Sequence, residues 1–164
     1  MKARLLPILA ASLASAGVLG GTSDKSAPNS AGFVRVTPEQ VRWEEVAGGF
    51  GARIATIAGD PSRAGLYVQR VRFPPHVMTR PHWHATDRYV TVIQGTWFAG
   101  TGPNFDPRHA VPLKAGSYMF HPARALHWDG SNSDAPVIVQ IVGIGPAETV
   151  QADPGQPFWV QLKP

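Results

Sequence analysis

The sequence predicts an all-β domain, either a double-sheet jelly roll or a small barrel. Short runs of β-branched and aromatic residues recur between turn signals, Gly 17 and Pro 16 supply those turns, and no long helical pattern is present. The one helix-like window is Pro38–Val46, with Thr37 as N-cap and Pro38 in the first helical position. The predicted strands are 33–36, 53–57, 66–73, 89–94, 96–99, 117–120, 125–128 and 137–142.

Length and composition limit the protein to a single folded domain. The chain has 164 residues, of which 43% are hydrophobic and 16% charged, which excludes a coiled coil and an acidic disordered chain. The net charge is +4, but without Lys2 and Arg4 the 15 basic residues fall to 13 against 11 acidic ones. Because the remaining basic residues are scattered, no phosphate-binding cluster forms and we expect no nucleic-acid partner.

The N-terminus predicts an exported protein. Lys2 and Arg4 precede an apolar run, Leu5–Leu19, and Ala14–Ala16 offers a small-residue cleavage site, so residues 1–16 read as a secretory signal peptide. That run is shorter than the roughly 20 residues needed to span a bilayer, so we expect no membrane contact after cleavage. We predict a periplasmic or secreted protein, with a Gly- and Ser-rich linker over residues 17–32 and the folded domain over residues 33–164.

The histidines carry the strongest chemical signal. His82 and His84 are two residues apart, so in a strand both imidazoles project from the same face. His127 stands at the start of a later predicted strand. Three neutral imidazoles converging on one point suit one divalent transition metal such as Fe, Cu, Mn or Zn. The interior strand faces are apolar, which suits a small organic ligand.

Two stretches around these histidines resemble the sequence motifs of the cupin superfamily. The stretch 74–95, PPHVMTRPHWHATDRYVTVIQG, matches the first motif at the His-x-His pair and at the closing Gly95. The stretch 116–132, GSYMFHPARALHWDGSN, matches the second motif in register at Gly116, Pro122 and His127. The resemblance implies a cupin double-stranded β-helix (a jelly-roll barrel), a metal bound by His82, His84 and His127, and a homodimer.

Three positions depart from the cupin motifs. His76 and Arg124 stand where the motifs have glycine, and we interpret both as turn adjustments. Arg88 stands where cupins usually place a glutamate ligand, and an arginine cannot coordinate a metal. Three interpretations of Arg88 remain open: it binds an anionic substrate, it pairs with Asp87 or Asp129 to support the rim, or it marks a cupin without metal.

His121 and Tyr89 complete the candidate site. His121, just before Pro122, is our candidate catalytic residue, as a fourth ligand, a support for the ligands or a general base; the alternative is a rim histidine bonded to backbone or solvent. Tyr89, beside Arg88, is a candidate substrate-binding residue. The predicted function is a metal-dependent oxidoreductase, similar to a dioxygenase, acting on a small and possibly anionic substrate. A non-catalytic ligand- or metal-binding cupin and a metal-dependent isomerase or lyase are the alternatives.

Overall fold

The structure is a computed structural model that describes residues 28–163. The predicted signal peptide and most of the predicted linker lie outside these residues. None of the helices among the described residues is long and apolar enough to cross a membrane. Residues 28–35 form a separate short unit, in which the Asn29 side-chain oxygen accepts hydrogen bonds from the backbone of Ala31 and Phe33.

From residue 36 onwards the described chain is built from β-strands and two short 3-10 turns, Pro38–Gln40 and Pro107–His109. The all-β prediction is therefore confirmed. The strands are β1 Glu44–Glu45, β2 Arg53–Ala58, β3 Gly65–Phe73, β4 Val77–Thr79, β5 His82–His84, β6 Arg88–Gln94, β7 Thr96–Thr101, β8 Val111–Lys114, β9 Tyr118–His121, β10 His127–Gly130, β11 Val137–Gly145, β12 Thr149–Gln151 and β13 Trp159–Gln161.

Two antiparallel sheets make up the jelly roll. One sheet has the order β1-β2-β3-β11-β6-β9, with β11 pairing to β3 along its whole length. The other has the order β12-β5-β10-β4-β13, and β7 joins it by pairing with both β10 and β8. Alternation along each strand sends one side chain inward and the next outward. On β11, every second residue from Val137 to Gly145 is buried, which places the core between the sheets.

Two sequence predictions about the start of the domain are wrong. Residues 33–36 form no strand, and Phe33 and Val34 are exposed. The window Pro38–Val46 is not a helix: it begins as the 3-10 turn, Val41 is extended, and Glu44–Glu45 pair with β2 instead. The local signals of Thr37 and Pro38 start a helical turn, but the pairing with β2 ends it. Tertiary pairing overrides local propensity here.

Candidate metal centre

The histidine pair on β5 projects into the interior between the sheets. His82 and His84 are buried, whereas Trp83 between them is half-buried, as strand alternation requires. His127 on β10 is the registered partner of His82 on β5, and it is buried too. The ligand atoms of the three histidines lie within 4.8 Å of one another. The fold thus brings together the three residues that the sequence predicted as ligands.

Backbone carbonyls fix the ring orientation of all three histidines. Each Nδ1 lies within hydrogen-bond distance of a main-chain oxygen, and an N–H donated there leaves the lone pair on Nε2. Such a bond is how proteins orient imidazoles for a metal. The bonds join His82 to Arg80 at 2.8 Å, His84 to Glu148 at 3.2 Å and His127 to Ala125 at 3.0 Å.

Burial keeps these imidazoles neutral. It lowers the pKa of His82 to about 3 and that of His127 to about 4, and it holds the pKa of His84 far below its usual range. The positive charge of Arg88 lowers all three further. A neutral imidazole is the form that binds a metal, so the rings need lose no proton before coordination.

Arg88 lies inside the cavity rather than at its rim. The side chain is buried, and its Nη1 donates a hydrogen bond to His84 Nε2 at 3.0 Å. Its Nε is buried without a hydrogen-bond partner. Among the described residues, Arg88 makes no ion pair within 4 Å. Asp87 accepts a bond from the Ala123 backbone N–H at 2.7 Å, and Asp129 acts on Arg88 only through its charge. Arg88 therefore presents a buried cation and a free N–H donor to the cavity.

His121 also lines the cavity, opposite Arg88 in the register of β6 and β9. Its ring is buried, with the centroid 3.8 Å from that of His127 and 5.7 Å from that of Trp97. Neither ring nitrogen has a hydrogen-bond partner, so the alternative of a rim histidine bonded to backbone or solvent is wrong. Burial lowers the pKa of His121 to about 2, and the ring is neutral.

Asp129 is a site residue that the sequence reasoning considered only as a partner for Arg88. It is buried, lines the cavity, and its Oδ2 lies 4.0 Å from His127 Nε2. Burial raises its pKa to about 7, although the Trp97 indole and the Arg88 charge act in the opposite direction. The spacing could have revealed it, since a residue two positions after His127 in a strand shares its face.

The structure corrects the prediction for Tyr89. Alternation on β6 turns Arg88 and Val90 inward and Tyr89 outward, where its side chain is exposed and packs against Phe120 with ring centroids 5.4 Å apart. It is not among the residues that line the cavity. The reason is strand parity, because neighbours in a strand face opposite sides.

The cavity has a volume of about 390 Å³ and a lining that is partly polar and partly apolar. The polar lining includes the four histidines, Arg88 and Asp129. The apolar lining, called here the apolar wall, includes Phe158, which packs on His82 with centroids 5.0 Å apart, and Trp159, which packs on Phe73. This is the size and character of a pocket for a small organic molecule. The apolar wall is formed by Val46, Ile54, Val71, Phe73, Val90, Val139, Ile141, Phe158 and Trp159.

Comparison with known protein families gives one match. The family model described as Cupin matches residues 60–161, more than half of the chain. This chain belongs to the cupin family. None of the curated proteins matches this cupin.

Solved structures share the fold of this cupin at low identity. The polyketide cyclase RemF from Streptomyces resistomycificus is similar with a TM-score of 0.63 and 16% identity, over 74% of this chain and 86% of that one. A sugar phosphate isomerase of the cupin superfamily from Silicibacter pomeroyi has a TM-score of 0.59 and 18% identity, over 73% and 82%. The DMSP lyase DddQ from Ruegeria pomeroyi has a TM-score of 0.58 and 16% identity, over 71% and 64%. At these identities the likeness is one of fold.

The donor set fits a divalent transition metal. His127 Nε2 is buried without a hydrogen-bond partner, and it lies beside two further neutral imidazoles whose Nδ1 atoms are already engaged. Imidazole nitrogen suits Fe, Cu, Ni and Zn, whereas hard cations such as Ca prefer oxygen. His82, His84 and His127, called here the three-histidine site, are able to hold such an ion.

Proposed function

We propose that this cupin is an exported, metal-dependent enzyme that acts on a small organic anion, with oxidation as its reaction class. The observation that carries the proposal is the convergence of oriented, neutral imidazoles on a cavity that also holds the buried Arg88 cation. Export rests on the predicted signal peptide, and a homodimer is proposed from the family.

Arg88 is the residue that would select an anionic substrate. Burying a guanidinium is costly, and a carboxylate that binds it offsets that cost. Its unpartnered Nε–H is a donor that a carboxylate oxygen of the substrate would accept. The apolar wall would hold the remainder of the substrate and exclude water, so the substrate carries a short apolar body next to its charge.

A bound metal would supply Lewis-acid polarisation of the substrate and, for Fe or Cu, electrons for reaction with oxygen. The residues nearest to the proposed substrate have separate tasks. Arg88 orients the anionic group, and His121 presents to the cavity a ring nitrogen without a hydrogen-bond partner, to which a proton would move.

A second candidate is a lyase or isomerase reaction, in which a proton next to a carboxyl or carbonyl group is moved. The position of His121 favours it, because the ring lines the cavity and neither of its nitrogens has a hydrogen-bond partner. Structures of similar fold include a lyase, an isomerase and a cyclase. In this case a redox-inert metal such as Zn suffices.

Elemental analysis of the mature protein tests the proposal, with His127→Ala as the variant and His109→Ala as the matched control. His109 is an exposed histidine that is bonded to Asp106 and does not line the cavity. We expect about one equivalent of metal in the wild type and the control, and loss in His127→Ala. Oxygen uptake with short carboxylic acids and diketones then separates the two reaction classes. No metal in the wild type, even after reconstitution with Fe, Cu, Mn and Zn, would contradict the proposal.

A further inference from the structure

A second group of possible metal ligands lies beside the three-histidine site. The ligand atoms of His121, His127 and Asp129 lie within 4.8 Å of one another, and all three residues are buried. His127 belongs to both groups. Its Nδ1 is engaged by the Ala125 carbonyl, so its single free lone pair can bind one metal ion at a time. The two groups are therefore alternative positions for one ion.

The two groups differ in how many of their possible metal-ligating nitrogens already have a hydrogen-bond partner. In the three-histidine site, Arg88 donates to His84 Nε2, so that lone pair is occupied. In the second group, His127 Nε2 and both nitrogens of His121 are buried and have no partner. Unpartnered buried polar atoms are rare and costly, and one metal ion would satisfy His127 Nε2 and one of the two His121 nitrogens together.

Charge favours the second group as well. Arg88 places a positive charge directly at His84, where it repels a metal cation. Asp129 places a buried carboxylate 4.0 Å from His127 Nε2, and among the described residues no lysine or arginine forms an ion pair with it. Buried carboxylates are normally paired with a cation or bound to a metal. The Arg88 charge acts on both groups, but only the first group has a ligand hydrogen-bonded to it, and only the second contains a carboxylate.

We propose that His121, His127 and Asp129 form a carboxylate site for the metal, in which Asp129 supplies the acidic ligand that the cupin motif carries at position 88. The proposal rests on the proposed function, since it gives the position of the same metal. Two imidazoles and one carboxylate with open positions form the ligand set of many non-haem Fe(II) oxygenases. In this site His121 is a ligand, which favours oxidation over proton transfer by its ring.

Titration with Co²⁺ alone, in competition with a chromophoric chelator, tests the carboxylate site. His121→Gln and His84→Gln form a matched pair, and Asp129→Asn removes the carboxylate at constant size. We expect Asp129→Asn and His121→Gln to weaken Co²⁺ binding by about 100-fold or more, because loss of a supporting residue alone costs 10–100-fold. For His84→Gln we expect less than a threefold change (about 0.7 kcal/mol, since tenfold corresponds to about 1.4 kcal/mol).

The outcomes separate the two proposals. The carboxylate site would be overturned if Co²⁺ affinity fell strongly in His84→Gln and not in Asp129→Asn, or if it fell equally in both. The protein would then remain a metal-binding cupin. Absence of Co²⁺ binding in the wild type would remove the proposed function itself. If a variant fails to fold, anomalous diffraction from Co²⁺-loaded wild-type crystals decides the question. We expect the metal about 2.0–2.2 Å from an Asp129 oxygen, and a peak bound by His82 and His84 instead refutes the inference.

Discussion

Thr79 joins β4 to β10, the strand that carries His127 and Asp129. We expect Thr79→Val to destabilise the protein strongly. The Thr79 hydroxyl is buried on β4, where it donates to the Asp129 carbonyl and accepts from the Asp129 N–H, both at 3.1 Å. Valine has the same shape but leaves both backbone groups without a partner. Each orphaned group costs about 1–3 kcal/mol, and the extra methyl returns about 1 kcal/mol. We expect a net loss of about 1–5 kcal/mol, with a central value of about 3 kcal/mol.

Chemical denaturation of metal-free protein measures this loss, with Thr91→Val as the matched control. Thr91 is exposed on β6, so its replacement should change the free energy of unfolding by less than about 0.5 kcal/mol. The melting temperature of Thr79→Val should fall by about 10 °C, at roughly 3–5 °C for each kcal/mol. A loss no larger than that of the control would refute the view that the Thr79 hydroxyl holds the backbone of Asp129.

Two further predictions concern residues outside the cavity. Arg124 has φ of 63°, a left-handed conformation that costs about 1–2 kcal/mol for a side-chain-bearing residue, so Arg124→Gly should raise the free energy of unfolding by about 0.5–1 kcal/mol and Arg124→Val should lower it. Hydrogen bonds from Arg108 and His109 hold the pKa of the half-buried Asp106 below its usual range. The ionised Asp106 therefore stabilises the fold fully above the ordinary aspartate pKa. This stabilisation is lost as the pH falls through the lowered pKa of Asp106 in the folded protein. A carboxyl NMR titration should show Asp106 still ionised at about pH 4, and a midpoint there contradicts this.

Strand positions could be predicted where the sequence alternates or is strongly β-branched. The prediction for β11 began at the right residue, Val137, and that for β3 ended at the right one, Phe73. Short strands without such a pattern were missed, among them β8, β12 and β13. Their residues are held by pairing partners that lie far away in the chain, as when β13 pairs with β4. Local patterns carry no information about such partners.

The same limit applies to the site. Strand parity could place His82 and His84 on one face, and the cupin motifs added His127. Strand parity could also have excluded Tyr89 from the site, because it is one position from the inward Arg88. It could have included Asp129, because that residue is two positions from the inward His127. It could not show that Arg88 reaches His84, because that contact depends on side-chain conformation within a closed cavity.

The departures from the cupin motifs fall into two physical kinds. His76 and Arg124 both replace motif glycines and both keep a left-handed backbone, with φ of 57° and 63°. The fold therefore tolerates the loss of these glycines at a cost of about 1–2 kcal/mol each, since many other contacts determine the turns. Position 88 differs, because replacing a carboxylate by a guanidinium changes the buried charge by two units next to the histidines. A change of that size alters what the cavity binds, and in the proposed carboxylate site the negative charge comes instead from Asp129 on β10.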